Sequence, residues 1–252
     1  MNTPVMVPGE SYLIDPHEVT VSEYAAFLAT NPTTAGQGSR CSWNDSFEPG
    51  WISQGAKDAA DAEGNSFDDS CRGWLENQQT ALRGNRAVAC VDYCDAVAYC
   101  RWAGKHLCGK IGGGTLDVTS PDHSNAATDA MQSEWYSACS SGGMNLYPYG
   151  PTYMKGVCND KGNDIEVAGT FAGCTGGPPG AFDLSGNVSE WTDECTSYGG
   201  RAAAGQNCLQ RGGAFWGEAD DLTCGKDSKG MTNNRESMLS IPGTTTGFRC
   251  CM

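Results

Sequence analysis

Gly180-Ala181-Phe182-Asp183-Leu184-Ser185-Gly186-Asn187-Val188-Ser189-Glu190-Trp191 is the stretch on which the reading of this chain turns. Gly186-Asn187 is a turn dipeptide that tolerates positive φ. Asp183 precedes the turn and Glu190 follows it. Folding the turn brings two carboxylates and several backbone carbonyls toward one point. Oxygen-only ligation of that kind suits a hard cation such as calcium. Taken alone, the stretch reads more simply as a tight turn between strands with solvated acids. The decision rests on what surrounds it.

The chain has 252 residues, enough for one large domain or two small ones. Its formal charge is -14, from 30 acidic and 16 basic residues. With no Lys/Arg cluster, that balance argues against nucleic acid and anionic membrane as partners. No run approaches the ~18 apolar residues of a membrane span. Thirty-four glycines and 39% hydrophobic residues predict few long helices, hence a loop-rich α+β protein. The 14 cysteines are even in number and scattered, as in a disulfide framework. Cys90-x-x-x-Cys94 is the only close pair that could start a zinc site. No Cys/His pair answers it at finger spacing, and His17, His106 and His123 are isolated. Disulfides place the protein outside a reducing cytosol: secreted, periplasmic or at the cell surface. Residues 1–9 show neither a charged n-region nor an apolar h-region, so no signal peptide is expected within them.

Residues 10–19 alternate weakly and predict a strand. Thr20-Val21-Ser22-Glu23 is a capping-box pattern, followed by Tyr24, Phe27 and Leu28 on one helical face. Residues 33–88 are polar and aperiodic, an insertion too long for a plain loop. Cys41 and Cys71 are expected to staple it, with Trp43, Trp51 and Trp74 as anchors. Asp92 can cap a helix over about 93–103, ended by Gly104. A second insertion covers about 109–128, and a third helix fits 129–139. Its Gly112-Gly113-Gly114 run lacks the Lys-Ser/Thr of a phosphate loop. Cys158 and Cys174 bracket an acidic loop that is a weaker calcium candidate.

Several segments, in order, resemble the sulfatase-modifying-factor family, that of the formylglycine-generating enzyme. They include Glu18-Val19-Thr20 with Tyr24 and Phe27, then Asp95 to Leu107 with its Tyr99-Cys100-Arg101-Trp102-Ala103-Gly104 run. Ser133-Glu134-Trp135 with Cys139, and Tyr147-Pro148-Tyr149-Gly150, come next. The opening stretch, Arg211-Gly212-Gly213-Ala214-Phe215 and Gly247-Phe248-Arg249-Cys250 complete the set. The resemblance implies a single compact α+β domain over 1–252, related to C-type-lectin folds and low in regular secondary structure. It implies structural calcium on Asp183, Gly186, Val188 and Glu190, with a looser second site at Asn159, Asp160 and Asp164. It also implies the pairs Cys100–Cys250 and Cys139–Cys224. Proximity adds Cys41–Cys71, Cys158–Cys174 and Cys195–Cys208, which leaves Cys90, Cys94, Cys108 and Cys251 as two further pairs.

The family's oxidase holds copper on two cysteine thiolates, because soft sulfur favours Cu(I). Those positions fall at about Gly217 and near Leu222 here, and Cys224 is the only cysteine in reach. The active-site serine position is Ala214 and the usual tryptophan before the Glu is Ser189. The framework matches while the chemical residues do not. The expectation is a calcium- and disulfide-stabilised binding or structural module, with residues 216–246 as a face for a protein or glycan ligand. The alternatives are a copper-dependent oxidase making formylglycine, with Cys224 as its catalytic residue, and a subunit of a surface assembly.

Overall fold

The computed structural model describes residues 2–49, 84–118, 126–196, 208–226 and 245–252. Two small sheets carry the described fold. In the first, β1 (Val5–Met6), β2 (Leu13–Ile14), β8 (Cys250–Cys251) and β3 (His106–Leu107) lie side by side, all antiparallel. The chain's two ends thus meet, with Ile14 opposite Cys251.

The second sheet is built on β5 (Ser189–Cys195), the continuation of the Gly186-Asn187 turn. One edge of β5 pairs with β6 (Cys208–Arg211), antiparallel and with an irregularity between Trp191 and Cys195. Two short parallel strands share the other edge. β7 (Thr246–Phe248) takes Ser189 to Trp191, and β4 (Leu116–Asp117) takes Glu194 and Cys195. A strand with neighbours on both edges and cover on both faces has little solvated side. Six of the seven β5 residues are accordingly buried, Asp193 alone being partly exposed.

Three α-helices stand among the described residues. α1 (Val21–Leu28) starts with the expected capping box: the Thr20 hydroxyl accepts from the Glu23 N–H, and the Glu23 carboxylate accepts from the Thr20 N–H. α2 (Tyr93–Trp102) repeats the device with Asp92 and Asp95 and passes through Ala103 to Gly104 at φ 74°. Between them packs an aromatic core of Tyr24, Phe27, Tyr99 and Phe248, with ring centroids 5.3–6.2 Å apart.

α3 covers Glu134–Ser140, later than the expected 129–139. Asp129 accepts from the Met131 N–H and the Gln132 amide, which holds 129–132 in a turn. Ser133 then supplies the cap, accepting from the Tyr136 N–H. The strand expected over 10–19 shrinks to Leu13–Ile14. Beyond it Asp15 turns its carboxylate onto Lys105 (2.5 Å) and the Cys250 N–H (3.2 Å), and Pro16 has no N–H to offer a ladder.

The structure joins Cys100 to Cys250, Cys139 to Cys224, Cys158 to Cys174, Cys195 to Cys208 and Cys108 to Cys251. The expected pair Cys41–Cys71 is corrected, because Cys41 is bonded to Cys94. Residues 33–49 fold back over the start of α2, where Cys41 enters the aromatic core and Arg40 bonds the Tyr93 hydroxyl. Spatial packing therefore overrides nearness in sequence. Cys94 consequently leaves the set of four assigned to two further pairs. Cys90 is disulfide-bonded. Cys71, Trp51 and Trp74 lie outside the described residues.

Candidate functional site

The turn that opens the sequence reading sits at the centre of the fold. Asp183, Gly186 and Asn187 all take positive φ (55°, 76° and 60°). Gly186 has no alternative, because a Cβ there would lie 2.3 Å from the Asn159 carbonyl oxygen. Asn187 is buried and acts as a junction. Its N–H donates to Asn159 O, its carbonyl accepts from Phe215, and its Oδ1 accepts from Asn159 Nδ2 and the Glu166 N–H. Its Nδ2 donates to Glu18 Oε1 at 3.0 Å.

Glu190 is the second residue of β5, and its side chain is fully buried. Arg249 donates to both Glu190 oxygens at 2.6–2.9 Å, and Trp135 Nε1 donates to Oε2 at 2.8 Å. The same guanidinium donates to the carbonyls of Asp15, Phe182 and Asp183. Burial alone would lower the Arg249 pKa, but the surrounding carboxylates, Glu190 first and then Glu18 and Asp183, together outweigh it and hold the group above its ordinary value.

Asp183 is 2% exposed, and its Oδ2 accepts from the Gly169 N–H at 2.6 Å. Its Oδ1 has no hydrogen-bond partner, and neither does Glu18 Oε2, although Glu18 is 0% exposed. Burial raises the Glu18 pKa well above its ordinary value, and the nearby Asp183 charge adds to the rise. Asp183 is raised too, chiefly by burial. Sequence reading missed Glu18 and used it only as a framework letter in Glu18-Val19-Thr20. The available signal was an acid immediately before the buried Val19 at the end of the first apolar segment.

The residues expected at the turn are thus together, in different states. Asp183 presents an unpartnered oxygen of the kind a hard cation needs, while Glu190 is committed to Arg249 and Trp135. At the weaker site the side chains turn to separate protein groups. Asn159 Nδ2 donates to Asp164 O and Asn187 Oδ1. Asp160 accepts from the Tyr153 hydroxyl (2.8 Å) and the Gly156 N–H, and Asp164 pairs with Arg86 at 2.6 Å. Among the described residues, one group of three His, Cys, Asp or Glu side chains has ligand atoms within 4.8 Å of one another: Cys108, Glu134 and Cys251. Both of its sulfurs are spent in a disulfide, so it offers no thiolate.

The positions that would carry copper are also side by side. A Cβ built on Gly217 would stand 3.1 Å from Leu222 Cδ2. The space between the two positions is filled by the buried Leu222 side chain, and Cys224 is bonded to Cys139. This donor set does not fit a thiolate-bound copper. Around it lies a face of rings and acids. Tyr147 and Tyr149 stack with centroids 5.5 Å apart, and Tyr153 lies 5.9 Å from Tyr147. The Tyr147 hydroxyl donates to Ala219 O. Trp216 is 55% exposed, and Glu218 pairs with Lys161 at 2.8 Å. Residues 227–244 of the expected binding loop lie outside the described residues.

Comparison with known proteins agrees with this framework. No curated protein matches the chain. Among solved structures it is similar to PvdO from Pseudomonas aeruginosa, at 19% identity and a TM-score of 0.50 over 100% of this chain and 90% of that one. It is also similar to Treponema denticola variable protein 1, at 18% identity and a TM-score of 0.49 over 100% of this chain and 91% of that one. At 19% identity the likeness to PvdO speaks of fold alone. The family described as the sulfatase-modifying factor enzyme 1-like domain matches residues 3–252. That match spans nearly the whole chain, and the chain belongs to the sulfatase-modifying factor enzyme 1-like family.

Proposed function

We propose that this protein is a binding module on a formylglycine-generating-enzyme-like scaffold, held by disulfides and structural calcium, and that it does not make formylglycine. The observation that carries the reading is the filled copper position: Gly217 against Leu222, with Cys224 closed in a disulfide. Two-thiolate copper needs two free sulfurs, and the described cysteines include none. Calcium would be held by Asp183 and Glu190, whose carboxylate Arg249 and Trp135 also bond, with the carbonyls of Gly186 and Val188, and it would supply charge balance and rigidity, not chemistry.

The binding face comprises Trp216 to Asp221 and the tyrosines beneath them. The exposed Trp216 ring, beside partly exposed tyrosines and fixed polar groups, suits a glycan or a protein surface. The disulfide framework supports a secreted, periplasmic or surface setting. No helix among the described residues is long and apolar enough to cross a membrane.

Copper competition tests the reading. The folded protein should leave Cu(I) with a colorimetric chelator and consume no oxygen with a cysteine peptide. Retention of one equivalent of copper, lost in Cys224→Ser, would establish the oxidase instead. An alanine scan of 216–221 against glycan and protein arrays should abolish whatever binding the wild type shows. A scan that changes nothing would remove this face from consideration.

A further inference from the structure

α2 is apolar on more than its core-facing side. Cys94, Val97, Ala98 and Arg101 fall at i, i+3, i+4 and i+7, so they form one stripe along the helix. Residues of the 30–38 segment face that stripe across a cleft of about 330 Å3. Its floor is buried: Phe27, Phe47 and the Cys41–Cys94 disulfide. Trp102, 37% exposed, stands at its rim, with its ring centroid 5.6 Å from that of Phe27. Most polar side chains around the cleft are spent on the protein itself. Thr30 Oγ1 donates to Phe27 O, and Thr33 Oγ1 accepts from the Ala35 N–H. Gln37 Nε2 donates to the carbonyls of Thr34 and Asn44, and its Oε1 accepts from Asn44 Nδ2. Arg101 is the exception: it is exposed, and among the described residues none bonds or pairs with its guanidinium. That is notable in a chain with 30 acidic and 16 basic residues. No described residue lining the cleft is acidic.

We infer that this cleft binds a small amphipathic carboxylate, its apolar ring against Phe47, Val97 and Trp102 and its anionic end on Arg101. Size sets the first limit. An apolar cavity of ~150 Å3 holds benzene, so about twice that volume takes a ring with a short carboxylated chain. Chemistry sets the second. Aromatic walls and a polarisable disulfide favour a flat ring over a branched chain. Charge sets the third. A guanidinium presents a planar fork of donors that matches a carboxylate, repels an ammonium and gains little from a neutral amide. The cleft is built from α1, α2 and the 30–47 segment, and none of these contributes to the Trp216 face. It is therefore a second site, and it stands or falls independently of the function proposed above.

The test titrates the full chain, disulfides intact, with three probes that share one ring: hydrocinnamate, its neutral amide hydrocinnamide, and the cation phenylpropylammonium. Calorimetry and ligand-detected NMR read the binding. Wild type should take up hydrocinnamate saturably at one equivalent. The amide should bind roughly tenfold more weakly, the loss expected for a charge-assisted hydrogen bond, and the ammonium more weakly still. Arg101→Gln should bring hydrocinnamate down to the level of the amide and leave the amide unchanged, a pattern that general loosening of the fold does not produce. Ala98→Phe, which fills the cleft, should exclude both probes while keeping the circular dichroism of wild type. If Ala98→Phe does not fold, the exposed Arg101→Gln substitution decides alone. The inference is overturned by any of three results: no saturable uptake of hydrocinnamate by wild type at millimolar concentration, hydrocinnamate binding unchanged in Arg101→Gln, or undiminished binding in a folded Ala98→Phe, which would put the probe elsewhere on the surface.

Discussion

Glu190 and Arg249 stand 59 residues apart in the chain and form a fully buried, hydrogen-bonded ion pair. Such a pair adds little net stability over an apolar substitute, but losing one member leaves a bare charge in the interior. Glu190→Gln should therefore cost roughly 3–5 kcal/mol, read as a lower denaturant midpoint. A loss under ~1 kcal/mol would mean that water reaches the guanidinium. His106 and Glu134 behave differently, because the imidazole is partly exposed. The Glu134 hydrogen bond raises the His106 pKa from 6.5, against a smaller opposing effect of burial. The folded state then binds that proton more tightly than the unfolded chain. The resulting stability is fully present below pH 6.5 and is lost as pH rises through the higher folded value. His106→Gln should flatten the stability profile in that window, as measured by urea unfolding at several pH values.

At the scale of elements, α1 and α2 depend on their caps more than on propensity, since short helices are marginal alone. Thr20→Ala removes the side-chain half of the α1 capping box and should cost about 1 kcal/mol. Thr20→Ser should cost much less, since Ser is as good a cap. The second elemental prediction concerns Cys41. Digestion without reduction should yield a peptide from 39–49 linked to one from α2 through Cys94. Recovery of Cys41 linked to Cys71 would show that the loop staples itself. The caps were legible because a capping box is a four-residue pattern whose physics is local. The start of α3 was not, because Asp129 and Ser133 are both good caps and only the packing of Trp135 against Gly212 and Glu190 selects the later one.

For the whole molecule, little regular secondary structure is offset by covalent closure. Cys100–Cys250 and Cys108–Cys251 span 150 and 143 residues and fasten the C-terminal strand to α2 and β3. In the chain-entropy account, a bridge over a loop that long stabilises by about 4–5 kcal/mol. Reduction by dithiothreitol under native conditions should therefore unfold the protein, with loss of near-ultraviolet circular dichroism. A reduced chain that kept its tertiary signal would place the stability in the aromatic core instead. Calcium at about a hundred times its dissociation constant should add roughly 2.7 kcal/mol to the oxidised protein, seen as a rise in unfolding temperature that a chelator reverses.

The sequence by itself determined the family framework, the disulfide-rich character, the two capped helices and the positive-φ turn at Gly186-Asn187. These follow from short patterns in which neighbouring residues satisfy one another, or from composition, and neither needs knowledge of distant contacts. Tertiary structure alone decided that Cys41 meets Cys94, that Glu190 belongs to Arg249, and that Glu18 comes to Asn187. It also decided that Leu222 fills the space beside Gly217. Each of these joins residues separated by at least a turn, and by 53 residues or more in all but the last case. A side chain's partner in the interior is whichever group the packed elements bring within reach, and charge and hydrogen-bond balance there are properties of the assembled core.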